Sequence, residues 1–221
     1  MCGRFTQDLD EEEIVDLYDL DWAEPRQALR SRWNGAPTQE FALCRMDHAG
    51  RRILAQHRWG LVPAWARDPK IGARLINARS ESAESKPSFR AAFRRRRCLI
   101  PANGWFEWQA AVDARQPWWI SLGSKSFSFA GLWEAWDKGV GPVYSFTILT
   151  CPATESLQEI HDRQPAIIPP DRYAEWLDPG TEIPRLLELA RASHPGPFDC
   201  RQVSREVNSH RNDYPEILGA L

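Results

Sequence analysis

Cys2, Asn77, Glu107 and His161 are the residues in this sequence whose types and settings suit covalent chemistry. Cys2 is set apart by its address. It follows Met1, and cysteine is small enough for the initiator methionine to be removed. The new N-terminus would carry an α-amine and a thiol on adjacent carbons. An α-amine titrates near roughly 7.7–8.0 and a thiol near roughly 8.5, so each offers a nucleophilic fraction at neutral pH. Together they form a 1,2-aminothiol, which condenses with an aldehyde. The amine gives a Schiff base, and the thiol then closes a five-membered thiazolidine. No internal cysteine can do this.

The other three lie in segments that mix polar with rigid residues. Glu107 sits in Gly104-Trp105-Phe106-Glu107-Trp108. Strand alternation places Phe106 and Trp108 on one face, Trp105 and Glu107 on the other. A carboxylate among aromatics is desolvated, which raises its pKa and suits proton transfer near neutrality. The plainer reading is an exposed polar partner in an alternating strand. His161, in Ile160-His161-Asp162-Arg163-Gln164-Pro165, is a natural acid/base at neutral pH, or a structural histidine. Asn77 lies between Ile76 and Ala78, so its amide is satisfied within the fold or holds a ligand. Arg4 and Arg79 suit phosphate contact or surface ion pairs.

A net charge of −2 argues against a nucleic-acid binder, but the distribution does not. Residues 1–50 hold 5 basic and 11 acidic side chains, residues 51–100 hold 13 and 3, and residues 101–221 hold 10 and 16. A strongly basic block therefore lies between two acidic flanks. Of the 28 basic residues 24 are Arg, the better group for phosphate and for stacking on bases. The block also carries Trp59, Trp65 and Arg67, the composition of a single-strand stacking surface. The run Arg94–Arg97 extends this path or forms a solvated helix end.

These residues need elements to hold them. Thr6-Gln7-Asp8 followed by LDEEEIVDLYDL reads as a capped helix. Residues 22–38 read as loop, EFALCRMD and RRILAQHRWG as a hairpin, and residues 80–96 as a helix with a basic tail. Short strands follow at RCLIP, GWFEWQ, PWWISL, SFSFAGLWEAW and VYSFTILTC, then short helices at 154–160, 170–177 and 183–192, and a last strand at FDCRQVS. The pattern predicts one α+β domain over residues 1–221, with a bent, barrel-like, mostly antiparallel sheet core and peripheral short helices. Cys44, Cys98 and Cys151 read as packing residues, as does Cys200; their spacing forms neither a zinc motif nor a disulfide framework. No metal is expected from that spacing, and the absence of a Gly-rich phosphate loop argues against a nucleotide-binding α/β fold, so no cofactor is expected either. No apolar run reaches membrane-span length, and the acidic start MCGRFTQDLDEEE is unlike a signal peptide, so a cytoplasmic protein is expected.

The motifs MCGRF, WNGAP at Trp33–Pro37, WGLVP at Trp59–Pro63, LINAR at Leu75–Arg79, PANGWFEW ending at Trp108, and HDRQP at His161–Pro165 resemble the SRAP family of abasic-site processing proteins. Their combination is specific, and they occur in family order along nearly the whole chain. The resemblance implies a monomer that recognises abasic sites in single-stranded DNA and crosslinks to them through the N-terminal Cys. It assigns the nucleophile to Cys2, the sugar-holding amide to Asn77, proton movements to Glu107, and Schiff-base and ring-opening chemistry to His161. It assigns DNA contact to Arg4, Trp65 and Arg79, with Asn34 beside the active site. Two positions depart from the family pattern. Gly35 replaces Val or Ile, which implies a more flexible loop, and Gln164 replaces Met or Arg beside the His. The competing reading is an N-terminal-nucleophile thiol hydrolase or peptidase, in which Cys2 attacks an amide. A third is a non-covalent single-strand binder.

Overall fold

Strand pairing rather than helix packing sets the architecture of this α+β protein. The computed structural model describes residues 2–20, 29–112, 114–123, 125–192 and 194–221. The strands are β1 (Arg4–Gln7), β2 (Arg32–Gly35), β3 (Glu40–Met46), β4 (Arg52–Trp59), β5 (Asn77–Arg79), β6 (Arg97–Ala102), β7 (Gly104–Gln109), β8 (Gln116–Ser121), β9 (Phe127–Trp136), β10 (Val143–Pro152), β11 (Arg163–Pro165), β12 (Ile167–Ile168) and β13 (Asp199–Gln202). Short helices α1 (Glu11–Tyr18), α2 (Arg90–Arg95), α3 (Glu155–Gln158), α4 (Tyr173–Leu177) and α5 (Ile183–Arg191) lie around them.

One sheet has the order β13-β8-β7-β1-β2 and is antiparallel throughout. The other closes on itself. β3 joins β4 to β6, β6 pairs with β9, and β10 pairs with both β9 and β4. These five strands make a barrel, which removes their open edges. β10 is long enough to pair with β4 at Ser145–Phe146 and then with β5 at Ile148–Thr150.

The two sheets share an aromatic core. Phe5 of β1 enters the mouth of the barrel and packs on Phe41, Trp59 and Phe129, with ring centroids 4.4, 5.1 and 5.7 Å away. Trp105 of β7 reaches the same cluster, 6.1 Å from Phe129. A second core of Leu99, Leu132, Leu149, Trp176, Leu186 and Leu189 lies outside the barrel, where α4 and α5 cover it. Trp105 and Phe106 belong to different clusters, as alternation along β7 requires.

Three local expectations change. Helix α1 starts at Asp10, not at Thr6–Asp8. Asp10 accepts from the Glu13 amide and Glu13 returns a bond to Asp10, a capping box; Thr6 is in β1, opposite Gly104. Residues 80–89 form turns, and only Arg90–Arg95 is α-helical. Pro87 supplies no amide donor and disfavours helix at the residue before it. The expected loop 22–38 contains strand β2, paired with β1, while residues 21–28 lie outside the described residues. Among the described residues, no helix is long and apolar enough to cross a membrane.

Candidate active site

Cys2 lies two residues before the start of β1 and is fully buried at the seam of the two sheets. Its Sγ approaches the Arg4 carbonyl at 3.7 Å. Burial pushes the thiol well above its ordinary pKa, and the nearby Glu107 charge pushes it further. In a chain that retains Met1, Cys2 is therefore a protonated thiol.

Asn77 reaches Cys2 from the other sheet. Its Nδ2 donates to the Cys2 carbonyl at 2.6 Å, while its buried Oδ1 has no hydrogen-bond partner. Strand β5 is only three residues long, so its position depends on β10 and on what precedes it. The Ile76 carbonyl accepts from both the Ile148 amide, at 3.1 Å, and the Trp59 indole, at 2.9 Å. Trp59 was expected on a stacking surface; it is instead fully buried and holds the strand that carries Asn77. Alternation sends Ala78 into the outer core and leaves Arg79 exposed.

Glu107, on β7, is buried among the aromatics, and burial lifts its carboxyl pKa to about 7. His161 follows α3, where its amide donates to the Leu157 carbonyl at 2.9 Å. Its Nε2 lies 3.9 Å from Glu107 Oε2, too long for a direct hydrogen bond. Its Nδ1 accepts from the Arg163 amide at 2.9 Å, which assigns the proton of the neutral ring to Nε2. Asp162 Oδ1 stands 2.9 Å from the same Nδ1 and can accept a hydrogen bond from it when the ring is charged. Burial lowers the imidazole pKa. A buried acid poised near neutrality thus faces a mostly neutral histidine, beside a cysteine whose carbonyl is clamped.

Residues 1–210 match the family described as SOS response associated peptidase, SRAP. This chain belongs to the SRAP family. It is 39% identical over 225 residues to the abasic site processing protein YoaM of Bacillus subtilis (strain 168), covering 100% of this chain and 98% of that protein. It is 35% identical over 202 residues to the abasic site processing protein HMCES of Gallus gallus, covering 77% of this chain and 58% of the relative. A crystal structure of a Bacteroides thetaiotaomicron protein covers 100% of both chains with a TM-score of 0.86 at 22% identity, which speaks to the fold.

The remaining expected SRAP site residues divide into two groups. Trp65 is 54% exposed, its indole donating to the Pro87 carbonyl at 3.2 Å, and Arg79 projects to the surface. Arg4 and Asn34 are instead committed to a strap near the C-terminus. Asn34 is fully buried, and its Nδ2 donates to the carbonyls of Val207, Ser209 and Asn212 at 2.9–3.0 Å. Arg4 donates to Asn34 Oδ1 at 2.8 Å and to the carbonyls of Val207 and Asn208 at 2.8 and 3.1 Å. Arg97 also leaves the expected basic path. It is buried and bonded to the carbonyls of Phe93, Arg94, Trp176 and Asp178.

The two departures from the SRAP pattern have structural causes. Gly35 is in β2, not in a flexible loop. A Cβ there would lie 2.5 Å from the Phe41 ring, so Phe41 fills the space a larger residue would take. Gln164 is fully buried, accepts from the Thr154 amide at 2.8 Å and donates to the His194 carbonyl at 3.3 Å. It anchors the start of α3 rather than facing a substrate. Sequence reasoning missed Arg163 and Asp213. Arg163 pairs with Glu81 through both terminal nitrogens and donates to the Thr150 carbonyl at 2.6 Å, tying the His161 turn to the segment after β5. Its place in HDRQP was a signal. Asp213 accepts from the Trp33 and Asn34 amides at 2.6 and 2.9 Å, and nothing local in the sequence marks it.

Proposed function

We propose that this SRAP protein traps abasic sites in single-stranded DNA as a thiazolidine on Cys2 once Met1 has been removed. The observation that carries this reading is the convergence of Cys2, Asn77, Glu107 and His161 from four separate segments. The names of its relatives, abasic site processing proteins, point the same way.

An abasic site is a masked aldehyde. Glu107, with a pKa of about 7, can give a proton to the sugar ring oxygen as the ring opens and exposes C1′. The Cys2 amine adds to C1′, and the proton it loses passes to the Glu107 carboxylate left by ring opening. Glu107 returns that proton to the carbinolamine hydroxyl, which leaves as water to give a Schiff base, while His161 Nε2–H hydrogen-bonds the departing oxygen. The Cys2 sulfur then adds to the same carbon and its proton ends on nitrogen. The net change joins aldehyde and aminothiol with release of one water. Asn77 positions the nucleophile by holding its carbonyl, and its Oδ1 can accept from a sugar hydroxyl. Trp65 supplies a stacking face and Arg79 a phosphate contact, an arrangement that tolerates any base sequence. Arg4 and Asn34 act through the strap they hold. One copy supplies every group named, which supports a monomer; action on DNA in the cytoplasm, at the nucleoid, is part of the same proposal.

The family description as a peptidase favours one second reading, a thiol hydrolase in which Cys2 attacks an amide. A denaturing gel separates the two. Met1-processed protein and abasic single-stranded DNA should give a stable adduct, and Met1-retaining protein and Cys2→Ala should not. A wild-type yield of adduct from Cys2→Ala refutes the proposal. Mass spectrometry of wild type, Glu107→Ala and His161→Ala shows whether Met1 removal is self-catalysed.

A further inference from the structure

The barrel has two ends, and the proposed chemistry uses one. Register identifies them. β5 places Asn77 beside Ile148, toward the C-terminal end of β10, whereas Tyr144 lies near its start. Antiparallel pairing puts Trp133 of β9 and Arg45 of β3 at the same far end as Tyr144. There, Arg45, Arg95, Trp133 and Tyr144 help to line a cavity of about 450 Å³.

The polar groups of this lining are unevenly matched. The Arg45 guanidinium lies 4.4 Å from the centre of the Trp133 ring, and its Nη1 donates to the Met46 carbonyl at 3.1 Å. Its Nε is buried and has no hydrogen-bond partner. Arg95 is exposed, with no ion-pair partner among the described residues. The acid in the lining, Asp47, is held by Arg51 at 2.9 Å. Behind the lining, His57 is buried with ring centroids 5.6 Å from Trp133 and 5.3 Å from Tyr144. With Arg45, Arg95 and Arg97 in the lining and its one acid already paired with Arg51, the cavity is net positive and calls for an anion. Two guanidinium groups favour a phosphate, and the 43% exposed ring of Tyr144 favours a planar face.

We propose that this end of the barrel binds a mononucleotide, its phosphate against Arg45 and Arg95 and its base against Tyr144. The site is separate from the Cys2 centre and involves no covalent step. The test is calorimetric titration of the whole protein with 2′-deoxyadenosine 5′-monophosphate, inorganic phosphate and deoxyadenosine as separate probes. The monophosphate should bind at least about tenfold more tightly than either fragment. Tyr144→Ala and Arg95→Ala should each weaken it about tenfold, while Trp65→Ala and Arg79→Ala leave it unchanged. Both lining variants change exposed residues, and their near-UV circular dichroism reports that the fold is retained. Absence of binding overturns the proposal. So does equal affinity for inorganic phosphate, which would mean simple ion pairing. Loss through Arg79→Ala but not Arg95→Ala would move the ligand to the Cys2 end, and also overturns it.

Discussion

The Asn77 side-chain amide donates to the Cys2 backbone carbonyl at 2.6 Å, across 75 residues of sequence. This bond fixes Cys2, the proposed nucleophile, where a loose chain start would otherwise move. Asn77→Ala removes it. A net hydrogen bond is worth about 0.5–1.5 kcal/mol, so adduct formation should slow by up to about tenfold. Asn77→Asp keeps the size but loses the donor, and should slow to a similar degree. Rates read from denaturing gels, with far-ultraviolet circular dichroism to confirm folding, check both.

Glu107 makes folding pH-dependent. Burial lifts its carboxyl from 4.5 to about 7, so the folded state favours the neutral form. Its stabilising contribution is complete below pH 4.5 and is lost as pH rises through about 7. A shift of this size amounts to roughly 3 kcal/mol. Glu107→Gln carries no such penalty. Urea midpoints of the two proteins should therefore diverge between pH 5 and 8, with the variant gaining at high pH. Parallel curves would show that Glu107 is solvated.

Trp65 offers its face to solvent and little to the core. Trp65→Ala should weaken binding of intact single-stranded DNA by about 1–3 kcal/mol, the value of one stacked base. Thermal unfolding should be unchanged. Fluorescence anisotropy and a melting curve on the same preparations distinguish a stacking residue from a packing one.

Asn34 should behave in the opposite way. Its amide bonds three carbonyls of the strap and accepts from Arg4. Asn34→Ala leaves these groups unmatched and should cost about 2–4 kcal/mol of stability, read from urea unfolding. Adduct yield per folded molecule should stay near wild type. A large loss of yield at full stability would instead make Asn34 a DNA contact.

What could be read in the sequence was whatever depends on neighbours. Alternation along β7 put Trp105 and Glu107 on one face, and an aromatic setting implied a raised carboxyl, as found. The hairpin around Asp47 and Gly50 was marked by its turn residues. Hidden features depend on distant partners. Strand β2 carries Asn34-Gly35, which reads as a turn, yet pairing with β1 and the amide bonds to Asp213 make it extended. Trp59 and Arg97 lie in the basic block, but charge counts do not say which side chains the barrel and α4 enclose. Composition suggested a surface, and topology divided its members between surface and core.

Gly35 shows the same limit and gives a sharp test. Its neighbour across the core, Phe41, occupies the space of a side chain at 35; a Cβ would meet that ring at 2.5–2.6 Å and the Phe5 carbonyl at 2.9 Å. The backbone of Gly35 is not left-handed, so space rather than torsion is the obstacle. Gly35→Val should destabilise by about 1–3 kcal/mol through overpacking. Phe41→Leu alone should also destabilise, because that ring contacts Phe5, Trp59 and Phe146. Together the two changes exchange volume across one contact. The double variant should be more stable than the sum of the single effects by at least about 1 kcal/mol. Urea unfolding of the four proteins closes the cycle. Additive losses would mean that Phe41 does not occupy the space left by Gly35.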